Sequence, residues 1–163
     1  MTDDAATTDL LVIWHSRTGA SEAMARAAAE AEGALLLRAR DAAPEDMLRA
    51  SAYLFVGPEN LAGLSGEMKE FFDTSYYPLL GRIEGRPYAT IIAAGSDGEG
   101  AQRAFDRIAA GWRLRRVADP LIVNFSAQTP ETILAAKHVE AAILDKCRQI
   151  GASLAEGVRL GVF

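Results

Sequence analysis

The chain holds one cysteine, Cys147, in 163 residues. That excludes an internal disulfide and a cysteine-rich metal site, and it suits a reducing compartment. There are two histidines, and no cluster of His, Asp and Glu has the spacing of metal ligands. Basic residues are the minority, 17 against 22 acidic for a net charge of -5, which argues against a nucleic-acid-binding surface. No apolar run approaches the ~20 residues needed to span a bilayer. The start, Met1-Thr2-Asp3-Asp4, lacks the basic residues and apolar run of a signal peptide. These absences predict a soluble, cytoplasmic protein with neither membrane nor nucleic acid among its partners. Hydrophobic content of 50% with 24% charged residues supports one ordinary core. A single domain is therefore expected over residues 1–163, with residues 1–9 as a polar leader.

Several catalytic signatures are also missing. There is no G-x-x-x-x-G-K-[ST] loop and no G-x-G-x-x-G fingerprint. A receiver domain needs acidic residues after the first strand and an Asp ending the third, where this chain has His15 and Gly57. Around Ser65, Gly63-Leu64-Ser65-Gly66 has its second glycine one place too early for a nucleophile elbow, and Ser65 reads as a helix cap. The first loop has no cysteine to serve as a phosphatase nucleophile. His15, without a partner, reads as a packing and hydrogen-bonding residue in preference to a catalytic one. Cys147 falls in the apolar stripe of the last helix and reads as core. With side-chain chemistry so thin, a bound cofactor is the better carrier of any reaction.

What the chain does have is a stretch, residues 10–32, that organises the rest. An apolar strand (Leu10, Leu11, Val12, Ile13, Trp14) breaks into a polar turn and re-enters as an alanine-rich helix at Ser21. Free backbone N–H groups at the positive end of a helix suit an anion such as a phosphate monoester. Capping residues are of the same types, so the turn alone does not choose between an anion site and a plain N-cap.

Further apolar runs follow at 34–37, 52–56 and 88–94, with a fifth extended region near 114–117 and 121–123. Pro120 puts that last region at a sheet edge or at a bulge. Helical spacing predicts helices from 21, 44, 65 and 101, and a last one from Pro130 through Ile133, Val139, Ile143, Cys147, Ile150 and Leu154. A connection without assigned structure spans 74–87. Five strands alternating with helices make an α/β doubly wound parallel sheet, order 2-1-3-4-5, with helices on both faces. Its glycine-bearing turns after strands one, three and four leave neighbouring strand ends and converge on one site.

Those three turns carry a resemblance. Ser16-Arg17-Thr18-Gly19-Ala20-Ser21 resembles the FMN phosphate loop of flavodoxins. The segment from Gly57-Pro58-Glu59-Asn60 to Phe71-Phe72-Asp73 resembles the third-strand loop and helix of flavodoxin-like NAD(P)H-dependent oxidoreductases. Ala94-Gly95-Ser96-Asp97-Gly98-Glu99-Gly100 is similar to their loop after strand four. The resemblance implies a flavodoxin-like fold holding FMN. Its phosphate contacts would be Ser16, Arg17, Thr18, Gly19, Ala20 and Ser21. Its ring contacts would be Pro58, Glu59, Asn60, Leu61, Ala62, Gly95, Ser96, Asp97, Gly98 and Gly100.

Two departures from the family's pattern stand out. The second and third loops contain no aromatic residue to sandwich the ring, which leaves one face open to substrate or covered by Tyr76 or Tyr77. The chain is also less acidic than electron-carrier flavodoxins. Both point toward an NAD(P)H-dependent reductase of a quinone, a flavin or another small acceptor. A one-electron carrier serving protein partners is the alternative, as is a domain that kept the fold and changed its ligand. The resemblance further implies a homodimer, with residues 74–87 as the contact.

Overall fold

The apolar runs at 10–14, 52–56 and 88–94 become strands with both alternations buried, which only a sheet covered on two faces provides. The computed structural model describes residues 8–163. In order these form β1 (Thr8–Trp14), α1 (Ala20–Ala28), β2 (Ala34–Arg38), a 3-10 turn (Ala39–Asp41), α2 (Pro44–Arg49), β3 (Ala50–Asn60) and β4 (Gly63–Leu64). Then come α3 (Gly66–Leu79), β5 (Pro87–Ala94), α4 (Glu99–Gly111), β6 (Arg115–Arg116), β7 (Leu121–Asn124), α5 (Pro130–Leu134) and α6 (Ala141–Arg159). Of the leader expected over 1–9, residues 1–7 lie outside the described residues, and Thr8 and Asp9 already belong to β1.

The parallel sheet runs β2-β1-β3-β5, and its outer edge is one strand in two pieces. β6 pairs with the start of β5 (Pro87↔Arg115) and β7 with its end (Ile91↔Leu121 to Ala94↔Asn124). The interruption contains Pro120, which has no N–H for the ladder. Counting the two pieces as the fifth strand gives the expected order 2-1-3-4-5. Leu10, Val12 and Trp14 of β1 face α1 and α6, whereas Leu11 and Ile13 face α2, α3 and α4. Cys147 sits fully buried in the first of these cores, where burial pushes its thiol up to about 11. No helix among the described residues is long and apolar enough to cross a membrane.

The elements depart from expectation in four places. β3 does not stop at Gly57: Pro58 still pairs with Ala93, and Glu59 and Asn60 form a short antiparallel ladder with β4. α1 opens at Ala20 with Gly19 as its N-cap, so Ser21 lies inside the first turn and caps nothing. The segment from 74 is helical as far as Leu79, because α3 absorbs Pro78 in its last turn. The last helix is two helices, α5 and α6, joined by non-helical residues 135–140. His138 is exposed on that join.

Candidate functional site

The turn after β1 is built by local hydrogen bonds. His15 N–H donates to Val56 O at 3.1 Å, extending the ladder one residue beyond the strand. Ser16 Oγ accepts from Gly19 N–H at 2.9 Å, closing the turn. Gly19 then takes φ 98, a left-handed conformation that glycine adopts without penalty. Among the described residues the N–H groups of Arg17, Thr18, Ala20 and Ser21 find no acceptor. Ser21 is 1% exposed, and its Oγ has no hydrogen-bond partner. A buried unpaired hydroxyl costs on the order of 1–3 kcal/mol, so its retention beside four free N–H groups marks a place for an acceptor from outside the chain.

Behind this turn, His15 is buried and its Nδ1 lies 2.8 Å from Ser65 Oγ, which also accepts from Met68 N–H as the cap of α3. The histidine is thus the structural link between β1 and α3. Burial holds it below the usual imidazole range; Glu67 opposes this, and Arg38 and Arg17 reinforce it. Arg38 and Glu67 form a two-pronged pair at 2.9 and 3.0 Å, and Trp14 packs under Arg38 and Arg26. These contacts fix the root of the turn while leaving its tip free.

The second loop is the β3–β4 hairpin. Leu61 and Ala62 occupy its two central positions at φ 50 and φ 61, the left-handed geometry that such turns normally give to Asn-Gly. Leu61 is fully exposed at the tip. Asn60 Nδ2 is buried and unpartnered, the second such group at this site. Glu59 turns its carboxylate toward the third loop, accepting from Gly98 N–H at 2.9 Å and Ala101 N–H at 3.2 Å. Gly100 packs so tightly on this hairpin that a Cβ would come within 2.1 Å of Ala62 O. The second and third loops are therefore a single braced unit.

These loops enclose a cleft with two adjoining lobes. The inner one, about 90 Å³, is walled by Ser16, Arg17, Thr18, Ala20, Ser21, Pro58, Glu59, Asn60 and Gly95. The outer one, about 310 Å³, adds Leu61, Ala62 and Ser96. Gly19, Asp97, Gly98 and Gly100 are not on either wall. Gly19 and Gly98 cap the two helices that open here, Gly100 braces the hairpin, and Asp97 is exposed. Tyr76 and Tyr77 stand in the last turns of α3, away from the cleft. Tyr76 stacks on Trp112 with centroids 5.7 Å apart, and its carbonyl accepts from the indole N–H.

A fourth wall was not expected from the sequence. Phe125 and Ala127 follow β7, and Ala127 N–H donates to Gly95 O at 2.8 Å. Ile133 and Lys137 complete the lining from the α5–α6 region, and Lys137 N–H donates to Thr18 O at 2.9 Å. Glu59 is the one acidic residue on the walls, and its carboxylate already faces two N–H groups. Arg17 and Lys137 supply the cations, so the cleft is locally positive on a chain of net charge -5. Among the described residues no group of His, Cys, Asp and Glu could hold a metal ion.

No protein-family model matches this chain. In sequence it is 29% identical over 164 residues to a flavodoxin of Aquifex aeolicus (strain VF5), covering 94% of this chain and 88% of that protein. In structure it is similar to the flavodoxin, WrbA-like protein from Agrobacterium tumefaciens, with a TM-score of 0.75 at 20% identity over 94% of this chain and 99% of the other. A flavodoxin from the domain Archaea gives 0.73 at 16% identity over 93% and 99%. The rubredoxin oxygen:oxidoreductase of Desulfovibrio gigas gives 0.73 at 15%, over 96% of this chain and 37% of that one.

Proposed function

Because this chain has a flavodoxin-like fold, we propose that its cleft binds FMN for electron transfer from NAD(P)H to a small acceptor such as a quinone or a free flavin. The observation that carries the reading is the pair of buried, unpartnered polar groups, Ser21 Oγ and Asn60 Nδ2, in the walls of one cleft. They fit a ligand with a phosphate at one end and a hydrogen-bonding ring at the other. Bound FMN supplies the redox chemistry; the residues of this chain hold and orient it.

In the inner lobe, the N–H groups of Arg17, Thr18, Ala20 and Ser21 and the hydroxyls of Thr18 and Ser21 would take the phosphate. Asn60 and the small residues Ala62, Gly95 and Ser96 would border the ring in the outer lobe, with Leu61 at its rim. No aromatic residue of the second or third loop stands over the outer lobe, which supports room there for a second planar molecule. The likeness to the Aquifex flavodoxin favours a second reading, an electron carrier working with protein partners.

Titration of the apoprotein with FMN, followed by flavin fluorescence, tests the first step. Saturable quenching at one site is expected, and no uptake would overturn the cofactor. Anaerobic NADH or NADPH should then bleach the bound flavin without a second protein. Failure to bleach would overturn the reductase and leave the carrier.

A further inference from the structure

The join between α5 and α6 sends Val139 into the core and also runs against the turn after β1. Residues 135–140 leave the helical path there, and Lys137 is tied to the phosphate turn by its backbone N–H, 2.9 Å from Thr18 O. Lys137 lines the inner lobe together with Ser16, Thr18 and Ser21. Its Nζ lies 2.8, 3.0 and 2.6 Å from the carbonyl oxygens of Thr132, Ile133 and Ala135. An ammonium has three N–H donors, and these three carbonyls take all of them. The charge is therefore held in place beside the cleft with no donor left for a ligand.

We infer that Lys137 is a fixed positive charge that makes the cleft select a phosphate-bearing flavin over the same flavin without its phosphate. The inference rests on the FMN reading and adds a residue to it. Lys137 would act through its field and not through a bond, and because the ammonium is held at an exposed position that field is open to screening by salt. Arg17, at the other edge of the cleft, is exposed and, among the described residues, has no such hydrogen bonds to hold its charge in place. The tie to Thr18 O makes the charge and the turn move together, so the field stays registered on the anion site. The competing role is purely structural: lysines close to a helix C-terminus often cap its last carbonyls. A cap would hold the fourth wall in place for any flavin, charged or not.

The two roles separate when FMN and riboflavin are titrated in parallel into wild-type, Lys137→Met and Lys137→Arg apoproteins at low and high salt. Lys137→Met keeps the apolar stem and should lose about tenfold in FMN affinity at low salt, with riboflavin changed by less than about twofold. The FMN loss should shrink as salt is added, and Lys137→Arg should recover most of it. Equal weakening of both flavins, or unchanged FMN affinity, would overturn the inference. A wild-type protein that takes up neither flavin removes the FMN reading and this inference with it. FMN uptake by wild type with an unaltered FMN-to-riboflavin ratio in Lys137→Met removes this inference alone.

Discussion

Helices α1 and α4 open onto the same cleft through the same backbone device. Gly19 caps one at φ 98 and ψ -17, and Gly98 caps the other at φ 97 and ψ -17. At α4 the positive end is occupied from within the chain, because the Glu59 carboxylate spans the N–H groups of Gly98 and Ala101. At α1 the Ser16 hydroxyl takes the Gly19 N–H, but among the described residues no carboxylate spans the helix start, and a buried hydroxyl is left unpaired beside it. The difference separates architecture from function. Glu59 shows what an anion does for a helix start of this shape, and α1 is the copy from which that anion has been withheld. A protein that needed α1 only for stability would have filled it in the same way.

Breaking the filled side should have the largest effect. Glu59→Ala leaves the α4 start without its carboxylate and should lower the unfolding free energy by about 2 kcal/mol in urea titrations. An unchanged midpoint would mean that the carboxylate does not stabilise α4.

On the vacant side the sign is reversed. Ser21→Ala removes an unsatisfied hydroxyl, so the apoprotein should be as stable as wild type or firmer by about 0.5 kcal/mol. FMN affinity should nevertheless fall about tenfold, or about 1.4 kcal/mol. Thr18→Ala should weaken FMN binding more than Ser96→Ala, because Thr18 lies in the anion turn and Ser96 is exposed in the outer lobe. Equal dissociation constants for those two variants would contradict the assignment of the phosphate end.

Smaller effects sharpen the picture of what surrounds the two helices. Ala62→Gly relieves a left-handed alanine at φ 61 and should stabilise the hairpin by about 1 kcal/mol, read as a raised urea midpoint. A loss of stability would show that the Ala62 methyl contributes packing that outweighs the relief. The smallest effect is a pH dependence. His15 is held below its ordinary value near 6.5 by burial. Below that pH the unfolded chain takes a proton that the folded chain resists. Stability from this group is complete above about 6.5 and declines as the pH falls from there to the lowered folded value. His15→Gln should flatten that decline in unfolding measurements between neutral and mildly acidic pH; an equal slope in the variant would assign it elsewhere.

Much of this was legible in the sequence. β1, β3 and β5 announce themselves as apolar on both alternations, and the Gly and Pro residues at their ends mark the turns that meet at the cleft. The split edge could be anticipated from Pro120, which cannot donate in a ladder. The fourth wall could not be read from residue types, since Ala135, Ala136 and Lys137 are good helix formers and contain no breaker. A subtler signal was available. Ile133 and Val139 are six apart, out of phase with the steps of three and four that connect Val139, Ile143, Cys147, Ile150 and Leu154. That phase slip spans the place where the helix breaks: Ile133 and Lys137 line the cleft, and Val139 turns into the core. Likewise, Gly57-Pro58 reads as a strand end, but antiparallel pairing with β4 carries β3 on to Asn60. Sequence pattern captures local periodicity; pairing between distant segments decided the remainder.

The divided outer strand has a consequence for how the molecule behaves in company. Beyond β5 the sheet offers a foreign strand two short footholds, Arg115–Arg116 and Leu121–Asn124, with Asp119 and Pro120 between them. An uninterrupted edge would template the addition of another strand, the usual first step toward aggregation. Here the proline and the flanking charges of Arg115, Arg116 and Asp119 make continuous zippering impossible on that side. The divided edge thus helps to keep separate copies of the chain apart.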